Sequence, residues 1–482
     1  MTEQAVAATT SGRRYRLLLP TILLGNALNV IDAFIVNVAA PTVARDLHAS
    51  SGELILIISG YSIAYACFLS TGGQLGDLFG HRTMFVWGMA GFVVSSAFAG
   101  LISDPALLVA GRVLQGLAAA AVVPQVLAMI TTYFEGPERT RALSVFGIVM
   151  GVAGATAQLL GGLLVTALSW RAVFLFNVPV AVIGVALALW IIPADVVDRR
   201  RGSAAARTDP VGSLLLAGAL SAVLVPSAFL SITGFDLRWW LLFAFTLVLA
   251  GVLIVRSRRR EVRGRRSIVS LTVLRSRSFS HGAVGAFFLF FAYAGVMLVS
   301  TIALQQVAGF GSLAAGFILV TYSLGFLLGS WLTRAYAQSL RQWIYAIGGA
   351  AFALGCVGFS ATALVVDDLR NGGAAIAVSL LVAGFGQSTL MVPLMGSSLA
   401  DVGATERGIA AGMWGTNQQV AISVGTVVSG TVFYALVDGI GAGGAVVAVY
   451  LLLAGACAVA GTWMTYSVRR VVHGQDRCGP HR

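Results

Sequence analysis

Two charged residues lie deep in apolar stretches of a 482-residue chain: Asp32 in the run 17–40 and Arg112 in the run 107–131. An isolated carboxylate there costs several kcal/mol unless it is paired or protonated, and a guanidinium stays charged and must meet a carboxylate, carbonyls or water. Each is the other's obvious partner. The pair reads either as a proton-carrying couple or as a fixed brace between two helices. Gln115, one turn beyond Arg112, lies on the same flank and adds an amide. At 100° per residue Asn26 and Asn37 fall within about 20° of each other, with Asn29 and Asp32 on an adjoining arc. The first apolar helix should therefore turn one polar side to an interior cavity. The second half has no mid-span charge but holds Gln305, Gln306, Gln387, Asn417, Gln418 and Gln419, with Tyr293 and Trp414 nearby. Such groups suit an uncharged or amphipathic ligand, although each amide alone is equally explained as interhelical glue worth about 0.6 kcal/mol.

The elements that must position these residues follow from composition. Hydrophobic residues make up 58% of the chain and charged residues only 10%, well under the roughly 25% of a soluble domain, which excludes a soluble enzyme. All 31 basic residues are Arg, so a phosphate loop or a Schiff base that needs Lys is excluded. Cys67, Cys356, Cys457 and Cys478 show no metal-ligand spacing, and the five His lie in loops, at span edges or in the tail. No disulfide, metal site, cofactor or enzymatic activity is expected.

Apolar runs of spanning length fall at 17–40, 53–72, 84–103, 107–131, 142–167, 172–192, 210–231 and 238–255, then at 279–304, 312–332, 342–366, 374–399, 408–433 and 444–466. The fold class is all-α integral membrane, with fourteen spans and both termini on one side. Placing the termini in the cytoplasm puts 26 of the 31 Arg inside, leaving only Arg45, Arg112, Arg171, Arg238 and Arg370 elsewhere. Basic loops bracket the spans 210–231 and 238–255. The domain organisation is thus a tail 1–16, a six-helix bundle 17–192, an inserted pair with basic loops 193–278, a second six-helix bundle 279–466 and a tail 467–482. The Arg256–Arg277 run should orient the chain and touch anionic lipid headgroups rather than nucleic acid. Val123-Pro124 with Glu138-Arg139, and Val392-Pro393 with Glu406-Arg407, are traces of a parallel repeat of the kind in which two bundles rock about a midplane site.

Four motifs carry a resemblance. Gly73-Gln-Leu-Gly-Asp77-Leu-Phe-Gly80-His-Arg82 is similar to the loop between spans 2 and 3 of the major facilitator superfamily, departing from it at Leu78 and His81. Ile31-Asp32-Ala-Phe-Ile-Val-Asn37-Val-Ala-Ala-Pro41, Arg112-Val-Leu-Gln115-Gly116 and Trp170-Arg171-Ala-Val-Phe174-Leu-Phe-Asn177-Val-Pro179 resemble segments of its fourteen-span drug:proton antiporters. Span 5 departs, with Gln158 where the exporter motif has Pro; the stripe Gly147, Gly151, Gly154, Gly161, Gly162 remains and should let another helix pack closely.

The resemblance implies a proton-coupled carrier of the plasma membrane, acting as a monomer, that exports amphipathic small molecules such as drugs, antibiotics or secondary metabolites. Asp32 and Arg112 would couple the proton. Asn26, Asn29, Asn37, Gln115, Gln158, Tyr293, Gln387, Trp414, Asn417 and Gln418 would line the substrate cavity, and Gly73, Asp77, Gly80 and Arg82 would form a gating loop. Two alternatives stand: a carrier or importer dedicated to one metabolite, suggested by Gln158, and a membrane sensor or scaffold that does not transport.

Overall fold

The computed structural model describes residues 12–194, 209–233, 237–265, 267–340, 343–366, 369–402 and 406–477. Among the described residues the secondary structure is helical, with no strand. The first half holds α1 (Gly12–Asp46), α2 (Ser51–Phe79), α3 (His81–Leu101), α4 (Pro105–Tyr133), α5 (Gly136–Ala167), and the short α6 (Arg171–Leu175) that continues into α7 (Asn177–Ile191). Next come α8 (Pro210–Thr233), α9 (Leu237–Val262) and the single-turn α10 (Leu271–Arg275). The second half holds α11 (Arg277–Ile302), prolonged by a π turn over Ala303–Val307, then α12 (Ser312–Leu340), α13 (Trp343–Val365), α14 (Gly373–Ala400) and α15 (Arg407–Arg477).

Local sequence sets these ends. Ser50 and Glu53 form a capping box before α2, Ser50 N–H donating to Glu53 Oε2 at 2.9 Å and Glu53 N–H to Ser50 Oγ at 3.3 Å. Asp104 caps α4 by accepting from Leu107 N–H at 2.9 Å, with Pro105 in the first helical position. The α2–α3 junction turns on Gly80 at φ 98°, a conformation that suits glycine.

Eleven helices among the described residues are long and apolar enough to cross a membrane, which makes this a multi-pass membrane protein. The expected count of fourteen is met only in part. The runs 408–433 and 444–466 fall in the two helices that make up α15, which meet at a kink at Gly441, where φ 74° and ψ 166° are not helical. Helices α8 (Pro210–Thr233) and α9 (Leu237–Val262) stand where two further spans are expected; the side chains of 227–240 and 243 lie outside the described residues. The loop Arg199–Arg207, the first eleven residues and Cys478 lie outside the described residues. Cys67, Cys356 and Cys457 are buried free thiols.

In the first half α1 packs on α4, α5 and α7, α2 on α4, and α3 on α4 and α7. In the second, α11 packs on α15, and α14 on α12 and α13. The halves meet where α5 touches α12, α2 touches α15 and α1 touches α11. The seam is tight between the last turns of α5 and the start of α12: a Cβ on Gly162 would lie 2.7 Å from Ser312 O, and one on Gly316 2.7 Å from Gln158 O. Gln305 Nε2 donates to Val38 O across the same seam at 2.9 Å. Toward the other end of α5, Gly147 and Gly154 have no atom within 4 Å of a built Cβ. Of the stripe's glycines whose surroundings are described, Gly161 packs closely on Ile35 and Val38 of α1 and Gly162 on the start of α12, whereas Gly147 and Gly154 do not. The surroundings of Gly151 lie outside the described residues.

Candidate functional site

Asp32 and Arg112 are each 0% exposed and meet through Arg112 Nη1 and Asp32 Oδ2 at 2.6 Å. Three features of the sequence bring them together. Gly116 lets α4 press against α2, since a Cβ there would stand 2.3 Å from Tyr61 O. Arg112 Nε donates to Ile57 O at 3.1 Å, which fixes the plane of the guanidinium, and its cation lies 4.7 Å from the Tyr61 ring centroid. Gln115, three residues on, accepts from Arg112 Nη1 at 2.8 Å.

Two further residues close the carboxylate. Asn177, where α6 gives way to α7, donates Nδ2 to Asp32 Oδ1 at 2.6 Å, and Gln115 Nε2 donates to the same oxygen at 3.1 Å. Gln115 Nε2 also reaches Ser96 Oγ at 2.8 Å. Four helices, α1, α3, α4 and α7, thus converge on one charge, and every member of the network is fully buried. Arg112 Nη2 and Asn177 Oδ1 make no hydrogen bond within the described residues, so the cage has a spare donor and a spare acceptor. Asn177 and Ser96 were not singled out from the sequence. Asn177 stood inside the quoted Trp170–Pro179 segment, whereas nothing marked Ser96.

The polar side expected on α1 is divided rather than single. Asp32 points into its own bundle, and Phe34 packs edge-on against Tyr293 of α11 at 5.4 Å. Asn29 binds Gly25 O through Nδ2 at 2.7 Å, and its backbone carbonyl accepts from Tyr61 Oη at 3.2 Å. Asn26 Nδ2 contacts Met150 Sδ of α5 at 2.5 Å. Asn37 and Gln158 are buried with side-chain oxygens that accept no hydrogen bond within the described residues; Gln158 Nε2 lies 4.0 Å from Met297 Sδ, across the seam.

In the second half Tyr293 lies 5.7 Å from the ring of Tyr322, whose hydroxyl donates to Gln387 Oε1 at 2.9 Å. Phe34, Tyr293, Tyr322 and Gln387 therefore form a chain from α1 into the second bundle. Trp414 is buried, Gln418 is half-buried, and Asn417 Nδ2 donates to Ala283 O at 2.9 Å beside a cleft of about 330 Å³ lined by Val284, Phe287 and Phe288. The structure does not bring Trp414, Asn417 and Gln418 into the Asp32 network. Gln115 belongs to the ion-pair network itself.

At the α2–α3 turn Asp77 is exposed and 3.8 Å from His81 Nε2. His81 Nδ1 hydrogen-bonds Gln125 Oε1 at 2.8 Å, and Gln125 Nε2 donates to Gly72 O at 2.8 Å. Arg82 Nη2 donates to Leu189 O at 2.6 Å, tying the turn to α7. A Cβ on Gly73 would stand at ordinary contact distance, 3.6 Å, from Pro124 Cβ.

Two helical halves meet along a seam, with a charge network sealed in one of them. The sequence matches the model of the Major Facilitator Superfamily over residues 22–426, and the chain belongs to that family. It is 31% identical over 431 residues to the probable actinorhodin transporter of Streptomyces coelicolor, covering 87% of this chain and 72% of that one. It is 31% identical over 416 residues to the cephamycin export protein CmcT of Amycolatopsis lactamdurans, covering 84% and 82%. A crystal structure of a peptide transporter, POT, in complex with sulfate superposes with a TM-score of 0.69 at 15% identity, covering 98% of this chain and 99% of that one.

Proposed function

We propose that this protein is a proton-coupled secondary transporter of the plasma membrane that exports amphipathic organic compounds by alternating access. The observation that carries the reading is the Asp32 cage: one carboxylate holds donors from α4 and α7 together, so one proton can dissolve the joint. The export direction and the substrate class, drugs, antibiotics or secondary metabolites, are supported by the relatives named above. Protonation of Asp32 removes its charge, weakens the pull on Arg112 and turns one carboxylate oxygen into a donor that no longer welcomes Asn177 Nδ2. The helices of the first bundle can then shift against each other. Release of the proton re-forms the cage, and the gradient enters as a difference in how the two states hold one proton.

The organisation proposed is the one read from the sequence: a tail 1–16, bundles over 17–192 and 279–466, an inserted pair within 193–278 and a tail 467–482. Both termini lie in the cytoplasm. Arg-rich segments there face anionic headgroups, and a single copy carries the full cycle. The cavity would run along the seam past Asn26, Asn37, Gln158, Tyr293 and Gln387, with the Asn417 cleft as a side pocket. Asp77 and the turn around Gly80 would act in gating.

Inverted vesicles with an imposed pH gradient test the reading against a panel of cationic dyes and natural products. Accumulation of at least one compound in wild-type vesicles, lost in Asp32→Asn, is the expected result. Gradient-driven accumulation that survives Asp32→Asn with an unchanged pH profile would sink the proton role, and uptake in the opposite sense would make the protein an importer. Orientation is checked separately by thiol labelling: impermeant reagent should reach a Cys at position 370 in intact cells and not one at position 263.

A further inference from the structure

One buried acid lies outside the Asp32 network. Asp209 stands at the start of α8 and is 1% exposed. Its Oδ1 accepts from Gly212 N–H at 3.0 Å, from Arg256 Nη2 at 2.8 Å and from Arg256 Nε at 3.2 Å. Arg260 Nε lies 3.5 Å from Oδ2. Both arginines belong to α9, one turn apart, and the backbone N–H of Asp209 donates to Gln74 Oε1 at 2.9 Å. Gln74 lies within the Gly73–Arg82 segment that ends α2. One residue therefore joins α8, α9 and the α2–α3 turn. Capping α8 requires only the Gly212 bond; two guanidinium groups from the neighbouring helix exceed that need.

The chain beyond Arg260 is pinned in turn. Ser267 Oγ donates to Ser257 Oγ at 2.8 Å, and Leu271 N–H donates to Glu261 Oε1 at 2.7 Å. Ser270 Oγ then donates to Glu406 Oε1 at 3.1 Å, just before α15 in the other half. A polar path thus runs from the α2–α3 turn of one half, through α9 and its linker, to the α14–α15 connection of the other.

We propose that Asp209 is a positioning residue of the transport cycle: it locks α8 and α9 to the α2–α3 turn, and the linker from α9 to Glu406 then limits how far the halves separate at that end. This rests on the reading of 193–278 as an insert between two moving bundles. A charged joint suits the task because it fixes register, and removing one partner leaves the other uncompensated.

Spin labels on Cys introduced at the exposed positions 79 and 343, with Cys478→Ser, report the separation of the halves in lipid nanodiscs without any substrate. Asp209→Asn and Gln74→Leu should each broaden the distance distribution toward longer values. Turnover should fall about fivefold or more with equilibrium substrate binding unchanged. Gln74→Leu leaves the ion pair and the α8 cap in place, so it decides the matter if Asp209→Asn fails to fold. The swap of Asp209→Arg with Arg256→Asp should recover more of the wild-type distribution than either change alone. Distributions that stay at wild type in both Asp209→Asn and Gln74→Leu would overturn the tether. A wild-type protein that moves no substrate while its distances still respond would defeat the export reading and leave the tether standing.

Discussion

The two halves solve the problem of buried polar groups in opposite ways. The first half buries a full charge pair and surrounds it with amides: Asp32 and Arg112 at 2.6 Å, with Asn177 and Gln115 on the free oxygen. The second half stays neutral. Tyr322 meets Gln387 at 2.9 Å, Tyr345 donates to Ser397 at 3.0 Å, and Ser300 pairs with Tyr450, whose ring stacks on Phe359 at 4.2 Å. A neutral hydroxyl network has no state to switch to, whereas a carboxylate can be erased by one proton and four helices feel the loss. In the proposed cycle the halves share a helical plan but divide the labour: one changes state, the other offers a shaped surface.

The largest test of that contrast is Asp32→Asn. It mimics the protonated form permanently, so gradient-driven accumulation should drop to background while membrane insertion and the helical content by circular dichroism hold. Next comes Arg112→Leu, which strands Asp32 without its counter-charge. A loss of about 3–5 kcal/mol in unfolding free energy is expected from breaking a buried pair, and adding Asp32→Asn should restore part of it. Additive losses in the double variant, measured by denaturant unfolding in detergent, would show that the two residues do not act as a unit. A smaller effect is expected at the rim of the first half. Asp77→Asn, at an exposed turn, should slow turnover several-fold with little change in equilibrium substrate binding; loss of binding with normal exchange between states would place Asp77 elsewhere in the cycle. The smallest is Tyr322→Phe in the second half, where one neutral hydrogen bond is worth about 1 kcal/mol. Substrate affinity should weaken by no more than about tenfold and the pH profile should not move. A shifted profile would mean that the second half titrates as well, and the contrast would fail.

Much of the candidate site was legible because burial of charge is so costly that few residues can bear it. Asp32 and Arg112 were each the only mid-span charge of their sign, so each named the other, and Gln115 followed from helical spacing. The partner list was less legible. Asn177 looked like part of a motif at the start of α7 and Ser96 like any small polar residue. Their roles depend on how α3 and α7 are rotated against α1. The residues of α1 do not share one surface: Asp32 turns inward to α4 and α7, the Asn29 amide binds back to its own helix, and Phe34 meets the other half.

What the sequence determined by itself is what rests on local energetics: helices from long apolar runs, an α2–α3 break from Gly80, helix starts from Ser50 and Asp104, and the need for a charge pair. What only the tertiary structure decided rests on contacts between residues far apart in the chain. It placed Asp209 against Arg256 and Gln74, closed the seam at Gly162 and Gly316, left Gly147 and Gly154 in open space, and kinked α15 into two helices at Gly441. Hydropathy measures what a segment prefers to be surrounded by and is silent on which neighbour supplies it, so rotation, register and partner choice were left to the packing of the whole.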